Sequence, residues 1–241
     1  MGTQGYGADQ ISAANALLKG KPPQAILRWA VAEFFPRLTM ATAFGAEGCC
    51  LIHMLAEIGK PVRIFNLDTG YQFTETLDLR ERIKDRYGIE VEYIYPEMTV
   101  QEYEEEHGGP LYIHRPDQCC HDRKVLPLSR AVVGYTAWVS AIRGDQTAHR
   151  AAAGLVQWDG KFSLVKINPL LSWTKKDVWN FIHKHDVPYN PLHNQGYPSI
   201  GCWPCTRPVS DEEDDRAGRW AGTTKKECGL HVIEHEEGSG I

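Results

Sequence analysis

Hydrophobic positions recur every three to four residues in two stretches near the start of the chain. They are Ile11, Ala14, Leu17 and Leu18 in the first stretch, and Ile26, Trp29, Ala30 and Phe34 in the second. Such spacing places apolar side chains on one face of a helix, and Gly20 with the Pro22-Pro23 pair separates the two stretches. The pattern predicts an N-terminal helical segment, residues 1–36, packed on the rest of the domain.

From residue 37 onwards, short apolar runs alternate with helical patterns. The predicted strands are Leu38–Ala43, Val62–Leu67, Val91–Tyr95, Ala137–Ile142 and Phe162–Ile167, and the predicted helices between them include Glu47–Ile58, Phe73–Tyr87 and Lys175–His185. Because such alternation is typical of βαβ units, residues 37–209 are expected to form an α/β domain with a mostly parallel sheet and flanking helices. After Pro188 the chain is rich in proline, glycine and polar residues, and residues 210–241 are predicted to form a mobile, loop-rich tail.

The overall composition restricts the class of protein. Of the 241 residues, 42% are hydrophobic and 24% are charged, which is typical of a folded domain. The net charge of −5 argues against a nucleic-acid partner. No apolar run approaches the ~18 residues of a membrane span, and Met1 to Gln10 lack the features of a signal peptide. We therefore expect a cytoplasmic protein without a membrane partner.

Two turns between predicted strands and helices have the composition of a nucleotide site. One contains Phe44-Gly45-Ala46-Glu47 and the other is Leu67-Asp68-Thr69-Gly70. Small residues allow backbone N–H groups to approach an anion at a helix N-terminus, and ligands of parallel sheets bind at the carboxyl ends of strands. The alternatives are an ordinary tight turn for the first segment and simple helix capping by Asp68 or Thr69 for the second.

Four of the seven cysteines form two close pairs, Cys119-Cys120 and Cys202-x-x-Cys205. In a reducing compartment, cysteines indicate metal binding or catalysis more often than disulfides, and four thiolates suffice for a zinc ion or an iron–sulfur cluster. Adjacent side chains on a helix diverge by about 100°, which favours a cluster with separate iron corners; redox or incidental cysteines remain the alternative. The vicinal pair Cys49-Cys50 lies in an apolar helix and is predicted to be core.

Cys228 is the candidate nucleophile. Lys225 and Lys226 precede it and His231 follows it, and cationic neighbours favour the reactive thiolate; the alternative is an incidental cysteine. An anionic substrate would require cationic side chains near these motifs, although each cation alone could equally be an ordinary surface charge. The candidates are Lys124, Arg143, Arg150, Arg207, Arg216 and Arg219.

These motifs together resemble those of the assimilatory adenylyl-sulfate reductases, the iron–sulfur branch of the adenylyl-sulfate/phosphoadenylyl-sulfate reductase family. The resemblance extends from about Leu38 to His231 and is carried by Cys119-Cys120-His-Asp-Arg-Lys124, Cys202-x-x-Cys205-Thr-Arg207, Glu227-Cys228-Gly-Leu-His231 and the two turns. One segment departs from the family pattern. Arg143-Gly-Asp-Gln-Thr147 stands where two consecutive basic residues before Asp-Gln-Ser are expected, which leaves open whether Arg143 or Arg150 contacts the substrate.

The resemblance implies an adenine nucleotide alpha-hydrolase-like fold, whose loop-rich C-terminal tail carries the nucleophile. It also implies a role for each candidate residue. Cys119, Cys120, Cys202 and Cys205 would ligate a [4Fe–4S] cluster. The nucleotide would be held by Phe44, Gly45, Ala46, Glu47, Leu67, Asp68, Thr69 and Gly70, and the phosphosulfate by Lys124, Arg143, Arg150, Arg207, Arg216 and Arg219. Cys228 would attack the sulfur of adenylyl sulfate, and thioredoxin or a similar dithiol protein would then release sulfite. A homo-oligomer is left open.

Three other functions are alternatives to this interpretation. Phosphoadenylyl-sulfate reduction differs by a single 3′-phosphate on the substrate. An ATP pyrophosphatase, such as a tRNA-thiolating ligase, would show Ser-Gly-Gly-x-Asp-Ser where this chain has Ala43-Phe-Gly-Ala-Glu-Gly48, and a tRNA partner would favour a more basic surface. A non-enzymatic zinc module would leave the motif around Cys228 unexplained.

Overall fold

A computed structural model describes residues 6–210 and 212–231. It contains one sheet of six strands: β1 (Leu38–Thr42), β2 (Arg63–Leu67), β3 (Glu92–Ile94), β4 (Ala137–Val139), β5 (Val156–Asp159) and β6 (Leu164–Ile167). Their order in the sheet is β3-β2-β1-β4-β6-β5. All neighbours are parallel except β5, which runs antiparallel to β6 at one edge. The predicted α/β class with a mostly parallel sheet is confirmed.

Ten α-helices and one π-helical turn occur in the described part of the chain. The helices are α1 (Ala8–Leu18), α2 (Pro23–Phe34), α3 (Ala46–Ile58), α4 (Thr74–Tyr87), α5 (Val100–His107), α6 (Leu111–His114), α7 (Pro116–Cys120), α8 (Leu126–Ala131), α9 (Ala148–Ala151) and α10 (Lys175–His185), and the π turn spans His121–Val125. Short 3₁₀ turns cover Gly144–Gln146, Pro191–Gln195 and Trp203–Cys205. Within these described segments, no helix is long and apolar enough to cross a membrane.

The sheet has a large core on one face and a smaller core on the other. Alternate strand residues point to opposite faces, so Ile64 joins the large core while Phe65 joins the small one. Helices α1–α4 and α10 contribute buried side chains to the large core. The small core contains Trp138 and Leu164, covered by residues of α8 and by Leu230 from the tail. The C-terminal tail therefore packs against the less covered face of the sheet.

The end of helix α3 and the start of helix α10 have clear sequence signals. Helix α3 follows β1 after a three-residue turn and ends at Gly59, whose left-handed backbone (φ +71°) suits glycine. Helix α10 begins at Thr174, whose hydroxyl accepts a hydrogen bond from the N–H of Asp177 while the Asp177 carboxylate accepts from the Thr174 N–H. This reciprocal capping satisfies two backbone donors that a helix start otherwise leaves unpaired.

The predicted helices and strands are present, with bounds shifted by at most a few residues. The last predicted strand begins at Leu164 instead of Phe162, because Ser163 takes a left-handed turn conformation (φ +54°). Strand β5 and helices α5–α9 were not predicted. Helix α1 contacts β5, and α2 packs on α3 and β1. The division of the chain into three segments at residues 36/37 and 209/210 stays a prediction. The predictions for residues 1–5, 211 and 232–241 lie outside the described residues.

Candidate active site

A cavity of about 320 Å³ lies at the carboxyl ends of β1, β2 and β4. The segments that follow these strands and residues from the C-terminal tail line it together. Its lining includes two groups of sequence-predicted residues: Gly45, Ala46, Glu47 and Leu67 from the turns, and Lys124, Arg143, Arg150, Arg216, Arg219 and Cys228. The fold thus gathers cations from distant parts of the chain around one thiol.

The turn after β1 is shaped by close backbone packing. The Phe44 N–H donates to the Thr42 hydroxyl (3.0 Å), and Phe44 has a left-handed backbone (φ +54°) with a ring buried in the core. A Cβ on Gly48 would lie 2.7 Å from Thr42 Oγ1, so only glycine lets α3 begin this close to β1. Gly45 and Ala46, at the helix N-terminus, line the cavity, while Phe44 does not line it.

The turn after β2 connects the cavity to the cysteines. Leu67 lines the cavity, and the Asp68 carboxylate accepts a hydrogen bond from the Gly70 N–H (2.9 Å). The Thr69 hydroxyl lies 3.3 Å from Cys202 Sγ. Asp68, Thr69 and Gly70 were predicted to hold a nucleotide. In the structure, the Thr69 hydroxyl lies beside the Cys202 thiol, and the Asp68 carboxylate stabilises the turn through the Gly70 N–H.

Arg143 is buried and already neutralised. It forms ion pairs with Glu47, at the start of α3, and with the Asp145 carboxylate (2.8 Å). The Gln146 side chain donates to the same Glu47 oxygen (3.2 Å). With two carboxylates against one guanidinium, Arg143 offers an anionic ligand little net positive charge.

Arg150 and Arg216 share a single carboxylate that comes from the tail. Arg150 Nε and Nη2 donate to the two oxygens of Glu227 (2.9 and 2.8 Å), and Arg216 Nη2 lies 3.5 Å from the same carboxylate. Burial would raise the pKa of Glu227, but Arg150 and Arg216 hold it below its usual value. This pair of guanidiniums carries net positive charge, and its counterion belongs to a segment that also carries the candidate nucleophile.

The two remaining predicted arginines lie in different environments. Arg219 lines the cavity and lies against the backbone of Gly201, where a Cβ would lie 2.2 Å from Arg219 Nη2. Arg207 lies at the surface and pairs with Glu213 (2.6 Å). Arg207 does not line the cavity within the described part of the chain.

The four paired cysteines lie around a second, small cavity. Cys119 and Cys120 end α7 and are buried. The π turn that follows widens the helix by one residue per turn, a distortion that frequently occurs at functional sites. Lys124 lies in that turn and lines both cavities. Its ammonium, together with the Thr69 hydroxyl, lowers the pKa of Cys202 against the effect of burial.

The spacing of the thiols differs from that of a single-ion site. A tetrahedral zinc ion with Zn–S bonds of about 2.3 Å holds its sulfurs roughly 3.8 Å apart. Among residues 6–210 and 212–231, no three cysteine sulfurs all lie within 4.8 Å of one another. The four side chains therefore face a common space without forming a compact group of three thiols.

The tail is held over the cavity by contacts on both sides of Cys228, which is half-buried. Lys225 pairs with Asp117 next to the cysteine pair of α7. Arg216 donates to the Lys226 carbonyl (2.9 Å), and Lys161 donates to the Gly229 carbonyl (3.1 Å). The chain on either side of Cys228 is thereby fixed to the domain through residue 231, while the predicted mobility of the tail stays a prediction.

His231 docks in a polar niche of the small core. Its ring stacks on Trp138 (interplanar angle 7°), and its Nδ1 lies 3.2 Å from Lys166 Nζ. Burial lowers the pKa of Lys166 to about 8 although Asp159 opposes the shift, and burial also lowers the pKa of His231. A neutral His231 ring therefore accepts a hydrogen bond from Lys166 near neutral pH.

Sequence reasoning assigned no role to Glu227, Lys166 or Trp138. Lys166 did give a signal, since it is the charged residue in the otherwise apolar run Leu164–Ile167. A charge at an inward-facing strand position normally has a buried partner. Glu227 stood within the quoted tail motif, but the sequence does not reveal that Arg150, 77 positions away, pairs with it.

A family model, curated relatives and a solved structure identify one family. The model of the phosphoadenosine phosphosulfate reductase domain matches residues 37–208. The chain is 46% identical to adenosine 5'-phosphosulfate reductase of Bacillus pumilus, over 86% of this chain and 89% of that protein. It is also 46% identical to phosphoadenosine 5'-phosphosulfate reductase of Gloeobacter violaceus, over 87% and 88%. The crystal structure of phosphoadenylyl-sulfate reductase from Candida auris, a phosphate complex, superimposes with a TM-score of 0.76 at 30% identity and covers 86% of this chain and 100% of that one.

Proposed function

Because the chain belongs to the phosphoadenosine phosphosulfate reductase domain family, we propose that it reduces adenylyl sulfate to sulfite and AMP. The observation that carries this proposal is the placement of Cys228 in a cavity with Arg150, Arg216, Arg219 and Lys124. A thiol surrounded by cations suits nucleophilic attack on an anionic sulfur group. Many relatives named adenosine 5'-phosphosulfate reductase support the choice of substrate.

The nucleotide would occupy the cavity with its phosphosulfate towards the tail. Gly45 and Ala46 line the cavity at the N-terminus of α3, and a helix N-terminus favours a phosphate. Arg150 and Arg216 are the better candidates for the charged group, because Arg143 is already neutralised by Glu47 and Asp145. We therefore assign substrate contact to Arg150 and leave Arg207, which lies outside the cavity, without a role there.

In the first chemical step, the Cys228 thiolate attacks the sulfur of the sulfate group. A sulfur–sulfur bond forms while the bond between that sulfur and the bridging phosphate oxygen breaks. The electron pair leaves on AMP, and Cys228 becomes an S-sulfocysteine. Since thiolate and substrate are both anionic, Lys124, Arg150, Arg216 and Arg219 must offset their repulsion and stabilise the departing phosphate.

In the second step, a dithiol protein such as thioredoxin supplies the two electrons. One thiolate attacks Cys228 Sγ and displaces sulfite, which forms a mixed disulfide between the two proteins. The second thiol of the donor then attacks this disulfide, restores the Cys228 thiolate and leaves the donor oxidised. For this attack the tail must expose Cys228, so its contacts at Lys226 and Gly229 must open.

Cys119, Cys120, Cys202 and Cys205 fit a [4Fe–4S] cluster. Their side chains line one small cavity, and four cysteine thiolates are the usual protein ligands of such a cluster. When bound, such a cluster supplies a fixed local charge beside the Lys124 ammonium, while the electrons of the reaction come from the dithiol. Lys124, which lines both cavities, is placed to link the thiols to the sulfate group. Because thiols at this site must stay reduced, we propose the cytoplasm as the compartment.

The decisive experiment measures sulfite release from adenylyl sulfate and from its 3′-phosphorylated form by anaerobically purified protein with reduced thioredoxin. We expect turnover with adenylyl sulfate and a kcat/KM at least tenfold lower with the 3′-phosphate. The similarity to the Gloeobacter relative makes phosphoadenylyl-sulfate reduction the second candidate, and the opposite preference would establish it. Release of sulfite from neither nucleotide would contradict the proposed function.

Lys124→Ala is expected to lower the rate of sulfite formation by ~10²–10³, as removal of one donor to developing charge typically does. Lys124 lies between the thiols and the cavity, so nucleotide binding should change much less than kcat. Single-turnover formation of the S-sulfocysteine measures the effect directly. Lys184→Ala, at an exposed position of α10, is the matched control; near-normal turnover of Lys124→Ala would remove Lys124 from the reaction.

Glu227→Gln is expected to tighten the binding of AMP by about tenfold. The carboxylate occupies Arg150 and Arg216 in the ligand-free protein, and a charge-assisted hydrogen bond contributes about 1.5–3 kcal/mol. Removal of its charge frees both guanidiniums for the phosphate. Calorimetric titration compares this variant with Glu213→Gln, whose partner Arg207 lies outside the cavity. Weaker binding by Glu227→Gln would instead show that Glu227 orients Arg150 for the ligand.

A further inference from the structure

Two histidines and a glutamate converge on the face of the domain where α3 and α10 pack together. His53 and Glu57 lie one turn apart on α3, and His185 is the last residue of α10. One potential ligand atom from each side chain lies within 4.8 Å of the other two. His53 Nε2 is 3.7 Å from Glu57 Oε1. No role in the proposed reaction involves these three residues.

His53 has an unusual hydrogen-bonding state. The residue is 8% exposed, and its Nε2 is buried without a hydrogen-bond partner. Its Nδ1 lies 3.1 Å from the Tyr87 hydroxyl of α4. If Nδ1–H donates to that hydroxyl, Nε2 carries a free lone pair, and Glu57 Oε1 lies 3.7 Å from it. A buried nitrogen acceptor of this kind costs free energy unless something binds it.

We propose that His53, Glu57 and His185 bind a divalent transition-metal ion of the zinc class, which joins α3 to α10. Two imidazoles and a carboxylate are the donor set that zinc accepts in three-residue sites, with water as the fourth ligand. Metal–ligand bonds of about 2.0–2.2 Å hold tetrahedral ligands roughly 3.4 Å apart. The separation between His53 and Glu57 is within a few tenths of an ångström of that value, and Glu57 is exposed enough to move.

The surroundings suit a bound cation in two respects and oppose it in one. Tyr87 is an outer partner that fixes the His53 ring, as metal-bound histidines usually require. The Phe181 ring stacks on His185 (centroids 4.3 Å apart) and limits its motion. The Arg86 guanidinium is near enough to lower the pKa of His53 together with burial, so the site has to bind the ion against one nearby positive charge.

This site is separate from the four paired cysteines. His53 follows Glu47, at the cavity end of α3, by six residues, which is about 9 Å along the helix axis. A metal ion here would fix α3 against α10 and thereby steady the helix whose N-terminus lines the cavity. The inference does not depend on the proposed reaction, since it rests on the three side chains alone.

The test titrates cluster-loaded, anaerobically purified protein with Co²⁺, whose absorption spectrum reports its ligands. We expect one Co²⁺ per chain with a tetrahedral spectrum that lacks thiolate charge-transfer bands, and displacement of that ion by Zn²⁺. His185→Ala and Glu57→Gln should each weaken binding by more than the about 10–100-fold that loss of an outer partner costs. His183→Ala, an exposed histidine on the same helix, should bind like the wild type.

A second measurement keeps the test valid if His53 variants fold poorly. Tyr87→Phe retains the ring but removes the hydroxyl, and it should weaken Co²⁺ binding by about 10–100-fold. Zn²⁺ should raise the Tm of the wild type, because the ion binds the folded state, and should not raise that of His185→Ala. Thiolate charge-transfer bands in the Co²⁺ spectrum, or equal affinities of the wild type and His185→Ala, would overturn the proposal.

Discussion

Cys228→Ser is expected to abolish sulfite release while nucleotide binding stays intact. A serine hydroxyl has no anionic character near neutral pH and is a poor nucleophile towards sulfur. The other cavity-lining groups, including Lys124, Arg150 and Arg216, belong to different residues, so the substitution leaves the binding groups in place. The loss should exceed the ~10²–10³ expected for a single donor such as Lys124, because the bond-forming atom itself is removed.

The covalent intermediate provides the direct measurement. Incubated with adenylyl sulfate and without a thiol, the wild type should gain one sulfonate per chain and release one equivalent of AMP. Peptide mapping should place the adduct on the segment that contains Glu227 and Cys228, and reduced thioredoxin should remove it as sulfite. Cys228→Ser should bind AMP with wild-type affinity and form no adduct.

The other cysteines serve as internal controls. Cys49 and Cys50 are buried in α3, and burial raises the pKa of Cys49 to about 12, so neither thiol should react. An adduct on either of them would contradict the assignment of the nucleophile. Sulfite release by Cys228→Ser would require a mechanism that does not involve the tail.

Periodicity in the sequence predicts most of the fold because the central strands and large helices bury regular apolar faces. Helix α10 has exactly the predicted bounds Lys175–His185. Helix α5 was not predicted because only Tyr103 of its eight residues is buried, so its sequence contains no apolar stripe. Strand β5 pairs at an edge of the sheet and also lacks a continuous apolar run, since only Val156 is buried.

The site was predictable in its chemistry and less so in its pairings. Motifs point to the cysteines, the cations and the tail, and the structure gathers most of them at one end of the sheet. Which cation faces the ligand depends on contacts across long stretches of chain, such as Arg143 with Glu47. No local pattern encodes those contacts. Arg207 illustrates the limit, because its place in a cysteine motif suggested a role near the substrate while its side chain pairs with Glu213 at the surface.

Cys202→Ser should lose the iron–sulfur cluster and nearly all activity. This substitution removes one of the four proposed cluster ligands, Cys119, Cys120, Cys202 and Cys205. Cys202 lines the same small cavity as the two cysteines of α7. Its Sγ lies 3.3 Å from the Thr69 hydroxyl in the turn after β2. Serine is a harder, weaker ligand for iron than a thiolate, so one corner of the cluster would lack its protein ligand.

Iron and sulfide analysis of anaerobically purified protein, with the visible absorption spectrum, measures the loss in Cys202→Ser. We expect iron close to zero per chain and sulfite release at least as low as that of Lys124→Ala, because Lys124 would lose both the cluster and the Cys202 thiolate, one of the charges that hold its ammonium. Cys50→Ala is the matched control: it removes a buried thiol of the core, should cost about 1 kcal/mol of stability and should keep its iron. Full iron and sulfide content in Cys202→Ser would show that this cysteine is not a ligand and that the cluster assignment is wrong.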